Sequence, residues 1–211
     1  ENAYSKAGWD LMTSENPYGE VYPCFEDVAN EVNAYINSSE YSDDTKGDYK
    51  GSLVTRLTSL TNGINGLIFA ADDLSDEVLF EQNTIVDLSR AGNPDTKALI
   101  MGILILKLQE YRMAQAKGSD EVLRHVTVLE EAHNLLKRTS TEQSSESANL
   151  VGKSVEMLAN AIAEMRTYGE GFIIADQAPG LLDASVIRNT NTKIIMRLPD
   201  EEDRKLVGKA A

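Results

Sequence analysis

Short runs of β-branched and aliphatic residues, separated by helical patterns, restrict the second part of this chain to one class of fold. The runs are Asn-Thr-Ile-Val-Asp-Leu-Ser (83–89), His-Val-Thr-Val-Leu (125–129), Gly-Phe-Ile-Ile-Ala-Asp (171–176) and Thr-Lys-Ile-Ile-Met-Arg-Leu (192–198). Their length and branching read as strands. Pro94, Asp95 and Thr96 open a helix reaching to about Ala116. It is apolar nearly all round, which predicts cover on both sides. Glu131 to Lys137 reads as the start of another helix. Further on, Val151, Val155, Leu158, Ala159, Ile162 and Met165 share a face of a long helix that Gly169 closes. Leu181 to Asn189 reads as a short one. Such alternation predicts an α/β layer, a largely parallel sheet flanked by helices. Ligands of these sheets bind beyond the carboxyl ends of the strands. The positions to inspect are therefore Asp87, Glu130 and Glu131, Asp176 and Gln177, and the residues after Arg197.

The first part of the chain differs in kind. Residues 1–83 carry 16 acidic and 4 basic side chains, a net of −12, against 18 and 16 in residues 84–211. The expected division is an acidic, mainly helical segment or insertion over 1–82 and an α/β part over 83–211. Helical spacing shows in Phe25, Val28, Val32, Tyr35 and Ile36, and again in Leu53, Leu57, Leu60 and Ile64, with a loop expected over 37–48. An acidic surface argues against broad binding of a phosphate backbone there. A lone cysteine, Cys24, excludes an internal disulfide framework and fits a reducing cytoplasm. Apolar runs such as Ala98 to Leu108 are too short to span a bilayer, and no signal peptide is recognisable. The chain opens on Glu1 rather than methionine, which suggests a piece of something longer.

The chemistry concentrates where the run 125–129 meets Glu130-Glu131-Ala132-His133. Nucleotide hydrolysis needs Mg²⁺ to bridge phosphates, and Mg²⁺ favours carboxylate oxygens and retained waters. It also needs a group that orients or deprotonates the attacking water. Adjacent acids at a strand end diverge, so Glu130 is assigned to Mg²⁺ and Glu131 to the water. Helix capping by acids is the competing reading of the pair. A phosphate-gripping loop, G-x-x-x-x-G-K-[ST] after a strand, is the remaining requirement. Ser147 to Ser154 ends in Gly152-Lys153-Ser154 but has Ser147 in place of the first glycine and no strand before it. Lys153 accordingly reads as a helix-surface lysine, and the loop is expected to lie upstream of this chain.

In order and spacing, Val-Thr-Val-Leu-Glu-Glu-Ala-His-Asn-Leu-Leu (126–136) and the stretch from Leu158 to Leu198 resemble the C-terminal half of the HerA/FtsK class of P-loop motor ATPases, chiefly its HerA-like branch. The resemblance covers roughly residues 83–211; residues 1–65 resemble no family. It implies a partial RecA-like P-loop NTPase core, ATP with Mg²⁺, a hexameric ring acting as a translocase or helicase on duplex DNA, and a possible nuclease partner. It also implies that Gln177, after the third strand, senses the γ-phosphate. Arg166, in Arg-Thr-Tyr-Gly, matches an arginine that reaches the neighbouring subunit's site. Turn formation before Pro179 and a favourable cation at a helix C-terminus are the structural alternatives for these two. The family's usual first acid is Asp, where this chain has Glu130. Two other readings stay open: a type IV secretion or conjugation ATPase moving protein or single-stranded DNA, and a degenerate ATPase fold serving as an assembly module.

Overall fold

The computed structural model describes residues 1–69, 74–118, 120–138 and 147–210, the side chains of 64, 147–153 and 210 excepted. The chain divides into two units, Glu1–Leu74 and Ser75–Ala211.

The first unit is helical. Its elements are α1 (Asn2–Lys6), α2 (Phe25–Ser38), α3 (Asp43–Tyr49), a π-helical turn (Lys50–Val54), α4 (Thr55–Thr61) and α5 (Gly63–Ile68). The amphipathic face read from sequence buries Ala29 and Ile36 in α2. Asp27 caps α2 by accepting the Cys24 backbone N–H at 2.8 Å, satisfying one of the donors a helix start leaves open. The loop expected over 37–48 ends early, because Ser42 accepts the Thr45 N–H and starts α3. Trp9 stacks on Tyr22 with ring centroids 4.9 Å apart, and Phe25 meets Phe69 edge-on at 5.1 Å.

The second unit is mixed α/β. It comprises α6 (Asp76–Phe80), α7 (Pro94–Gln115), β1 (His125–Glu130), α8 (Ser147–Met165), β2 (Glu170–Ala175), α9 (Ala184–Asn189) and α10 (Glu201–Ala210). Asn93 caps α7, with Pro94 at the first turn where its missing N–H costs nothing. β1 and β2 pair in parallel, from His125 opposite Glu170 to Glu130 opposite Ala175. Alternation along the strands turns Thr127, Leu129, Phe172 and Ile174 inward. There Leu129, Phe172 and Ile174 join a core of Met101, Ile105, Leu108, Leu158, Ala159 and Met165 from α7 and α8. The opposite face carries Val126, Val128 and Ile173, of which the last two stay more than half exposed, at 56% and 55%.

Three expectations need correction. Residues 83–89 and 192–198 have no ladder partner among the described residues and are not strands. Ile85 and Ile194 are exposed, and a run of branched residues becomes a strand only when a neighbour takes its backbone hydrogen bonds. The all-round apolar α7 is covered on one side: Ile105 and Leu108 are buried, while Leu106 and Met113 are exposed. Glu131–Lys137 holds only a 3₁₀ turn, Ala132–Asn134, because Glu131 adopts a left-handed backbone and Leu136 and Arg138 bond to the 181–183 segment instead.

Two features lock the strand pair. Gly169 closes the turn after α8 with φ 82°, a conformation open to glycine, and a Cβ there would lie 2.6 Å from the Val122 carbonyl oxygen. At the amino ends of the strands, Arg112 and Glu170 are buried together. Arg112 Nε donates to Glu170 Oε2 at 2.8 Å, Nη2 to the Phe80 carbonyl at 2.7 Å, and Nη1 to Glu81. Glu170 Oε1 accepts the Thr127 hydroxyl at 2.7 Å and faces His125 Nδ1 at 2.8 Å. Burial works against the Arg112 charge, but the hydrogen bonds and charges of Glu170 and Glu81 prevail and hold its pKa above the ordinary value.

Candidate active site at the carboxyl end of the strand pair

The strand register sets the site. Glu130 lies opposite Ala175, so Glu131 and Asp176 both stand one step beyond the paired strands. Glu130 is exposed and shares the parity of Val126 and Val128, on the open face of the sheet. Glu131 turns away with φ 52° and ψ 44°. For a residue with a Cβ this left-handed conformation costs about 1–2 kcal/mol. Its neighbours hold it there. The Glu131 carbonyl accepts the Asn134 N–H at 2.9 Å and the Asn134 side-chain amide at 3.0 Å. Ala132 and Leu136, directly after it, are fully buried and anchor the turn.

The Glu131 carboxylate is shared by two side chains. Gln177 Nε2 donates to Oε1 at 2.8 Å. His133 Nε2 lies 3.6 Å from Oε2. On its other edge, His133 Nδ1 lies 2.9 Å from Asp176 Oδ2, which also accepts the His133 backbone N–H at 2.9 Å. Asp176 Oδ1 takes the Ala178 N–H at 2.9 Å, so the carboxylate is buried and satisfied on both oxygens. Glu131 itself is about half exposed and open to a substrate.

The structure thus brings Glu130, Glu131 and Gln177 to one end of the strand pair. It leaves Arg166 elsewhere. Arg166 is exposed and opens the 3₁₀ turn Arg166–Tyr168 ahead of β2, at the amino end of that strand. A strand the length of β2 separates the two ends by roughly 17 Å at the usual rise. Arg197 is exposed in the unpaired stretch after α9. Asp87 is also exposed, and its carboxyl is held below the usual range by hydrogen bonds from the Ser89 backbone and side chain. The Lys153 side chain lies outside the described residues. The backbone there is helical, within α8, so Gly152-Lys153-Ser154 does not form a phosphate loop. No group of three His, Cys, Asp or Glu side chains is gathered for a metal among the described residues.

Sequence reasoning missed the roles of Asp176 as a partner of His133 and of Glu170 as a partner of Arg112. The available signal was weak: an acid at each end of one short apolar run, and an arginine on an apolar helix.

In comparison with known proteins, no family model and no solved structure matches the chain. The chain is distantly similar to the DNA double-strand break repair helicase HerA of Sulfurisphaera tokodaii. The two are 23% identical over 164 residues, which is 76% of this chain and 31% of that helicase. The chain thus spans less than a third of that relative's length. No described helix is long and apolar enough to cross a membrane.

Proposed function

We propose that this chain carries the metal-and-water half of an ATP-hydrolysing site in a HerA-like DNA motor with a RecA-like core. The observation that carries the reading is Glu131, held in a strained backbone just past the end of a half-buried strand, with its carboxylate bonded by Gln177 from just beyond the adjacent parallel strand. The distant likeness to a repair helicase supports the same class. A carboxylate fixed in this way suits the orientation and deprotonation of an attacking water. The Gln177 amide, bonded to Glu131, supports a role in contacting both that water and a terminal phosphate.

Glu130 fits Mg²⁺. Its carboxylate is exposed at the strand end beside Glu131, and this metal is typically held by one or two carboxylates, waters and the nucleotide's own phosphates rather than by a full protein cage. Bound there, Mg²⁺ would neutralise developing phosphate charge. The phosphate grip is assigned to a loop outside these residues. Arg166, exposed and at the far end of β2, serves the site of an adjoining subunit, which requires a ring; a hexamer is the form we propose, with duplex DNA as its substrate.

The test is Glu131→Gln in the full-length protein. The variant is expected to bind ATP and fail to turn it over; normal hydrolysis would overturn the assignment. Stimulation of the unsubstituted protein's hydrolysis by duplex DNA is expected, and indifference to DNA would remove the DNA motor from the reading.

A further inference from the structure

The last helix of the chain reaches the turn that follows Gln177. We propose that Asp203, in the first turn of α10, is a positioning residue that sets this turn and so holds the Gln177 amide on Glu131. It rests on the proposed hydrolytic roles of Glu131 and Gln177.

Asp203 reaches outward from a helix end that is already served. Asp200 Oδ1 accepts the Asp203 backbone N–H at 2.9 Å, satisfying one of the donors that a helix start leaves open. A side chain three residues past a cap commonly folds back onto that cap. Asp203 instead crosses to the 3₁₀ turn Pro179–Leu181, where its Oδ1 accepts the Gly180 N–H at 2.8 Å. Gly180 is fitted to this close approach, since a Cβ there would lie 2.5 Å from Asp203 Oδ1. Val207, four residues further along α10, is buried.

The turn transmits the hold because it is stiff. Leu181 N–H donates to the Ala178 carbonyl at 2.9 Å and Leu182 N–H to the Pro179 carbonyl at 3.2 Å. The ring of Pro179 fixes its own φ. Ala178 N–H is held in turn by Asp176 Oδ1 at 2.9 Å. Gln177 therefore sits between the end of β2 and a rigid turn, and its Nε2 donates to Glu131 Oε1 at 2.8 Å. The far side of the turn is bonded to the segment after His133, through Arg138 N–H to the Leu181 carbonyl and Asp183 N–H to the Leu136 carbonyl. Asp203 holds the middle. Without it, the stretch that leads back to Gln177 can tilt about its two ends, and the amide leaves Glu131.

NMR of the ¹⁵N-labelled chain reads the Gln177 side-chain amide, assigned by Gln177→Ala, and Glu131→Ala marks its unbonded position. Asp203→Ala is expected to move the amide signal toward that position and to speed hydrogen exchange at the Gly180 N–H. Asp203→Asn keeps an accepting Oδ1 and is expected to leave both unchanged. Gly180→Ala pushes the carboxylate away from the opposite side and should reproduce the Asp203→Ala shift. Glu202→Ala, exposed in the same turn of α10, is expected to leave the signal in place. A Gln177 signal or a Gly180 exchange rate unmoved by Asp203→Ala would overturn the proposal, as would an equal shift in Glu202→Ala. Should Asp203→Ala fail to fold, Gly180→Ala decides alone. In the full-length protein, Asp203→Ala is expected to lower kcat for ATP about 10–100-fold with KM within about twofold, because a misplacement of about 1 Å can cost about 100-fold. Asp203→Asn is expected to restore it. Unchanged kcat in Asp203→Ala would overturn the proposal. Absence of hydrolysis in the unsubstituted protein would instead remove the proposed function, while the NMR result would still decide whether Asp203 holds Gln177.

Discussion

Removal of either partner from the Arg112–Glu170 pair is expected to destabilise the second unit severely, and removal of both much less. Their side chains are 3% and 0% exposed, so solvent screens neither charge. Glu170→Met leaves Arg112 buried with only Glu81 and a carbonyl to face, and leaves His125 and Thr127 without their acceptor. Breaking a buried pair on one side costs about 3–5 kcal/mol, because the survivor keeps its desolvation penalty. With a urea slope of about 2 kcal/mol/M, a loss of about 4 kcal/mol lowers the unfolding midpoint by about 2 M. Against a total stability of about 5–15 kcal/mol, that is a large fraction. Arg112→Met should cost a similar amount by leaving the buried Glu170 without its guanidinium partner. The double variant Arg112→Met/Glu170→Met replaces the pair by apolar groups, which is often neutral. It should therefore be more stable than either single variant, and far more stable than the summed losses predict. Urea titration followed by circular dichroism reads all four corners of the cycle. Single losses below about 1 kcal/mol, or a double variant equal to the sum of the singles, would refute the reasoning.

Further outcomes follow from the same geometry. Glu131→Gly removes the left-handed strain and is expected to raise stability by up to about 1 kcal/mol while abolishing the proposed hydrolysis; a loss of stability would show the strain to be illusory. Gly169→Ala forces a Cβ toward the Val122 carbonyl from a left-handed backbone and should cost at least about 1–2 kcal/mol, read as a lower thermal midpoint. Tyr111 is expected to ionise later than ordinary tyrosines, chiefly because burial and then the Glu81 charge raise its pKa. A raised folded-state value means that its contribution to stability is present below pH about 10 and is lost as pH rises through the folded value. Absorbance titration of Tyr111→Phe against the unsubstituted chain checks this, and removal of an ordinary early-titrating tyrosine would contradict it.

Several parts of the molecule are legible in the amino-acid string alone. The strands at 125–130 and 170–175 each show themselves by branched apolar residues, and α7 by its Asn-Pro-Asp-Thr start. The convergence of Glu131 and Gln177 also follows from sequence, since parallel strands deliver their carboxyl ends to one edge. These are local patterns or simple consequences of topology, and such information survives in one dimension.

What the tertiary structure decided was pairing. Residues 83–89 and 192–198 have strand composition and no strand, because a ladder depends on what lies alongside and not on the run itself. Glu131 reads in sequence as the start of a helix and is instead a single left-handed residue, held by Asn134 and by buried Ala132 and Leu136. His133 reads in sequence as a residue that packs or hydrogen-bonds, and its partner is set only when the register lays residue 176 beside it. The sequence by itself determined which residue types reach the strand ends. The orientation of the His133 ring and the anchoring of the Glu131 carboxylate arise from contacts between residues more than 40 positions apart, and only the folded chain specifies those.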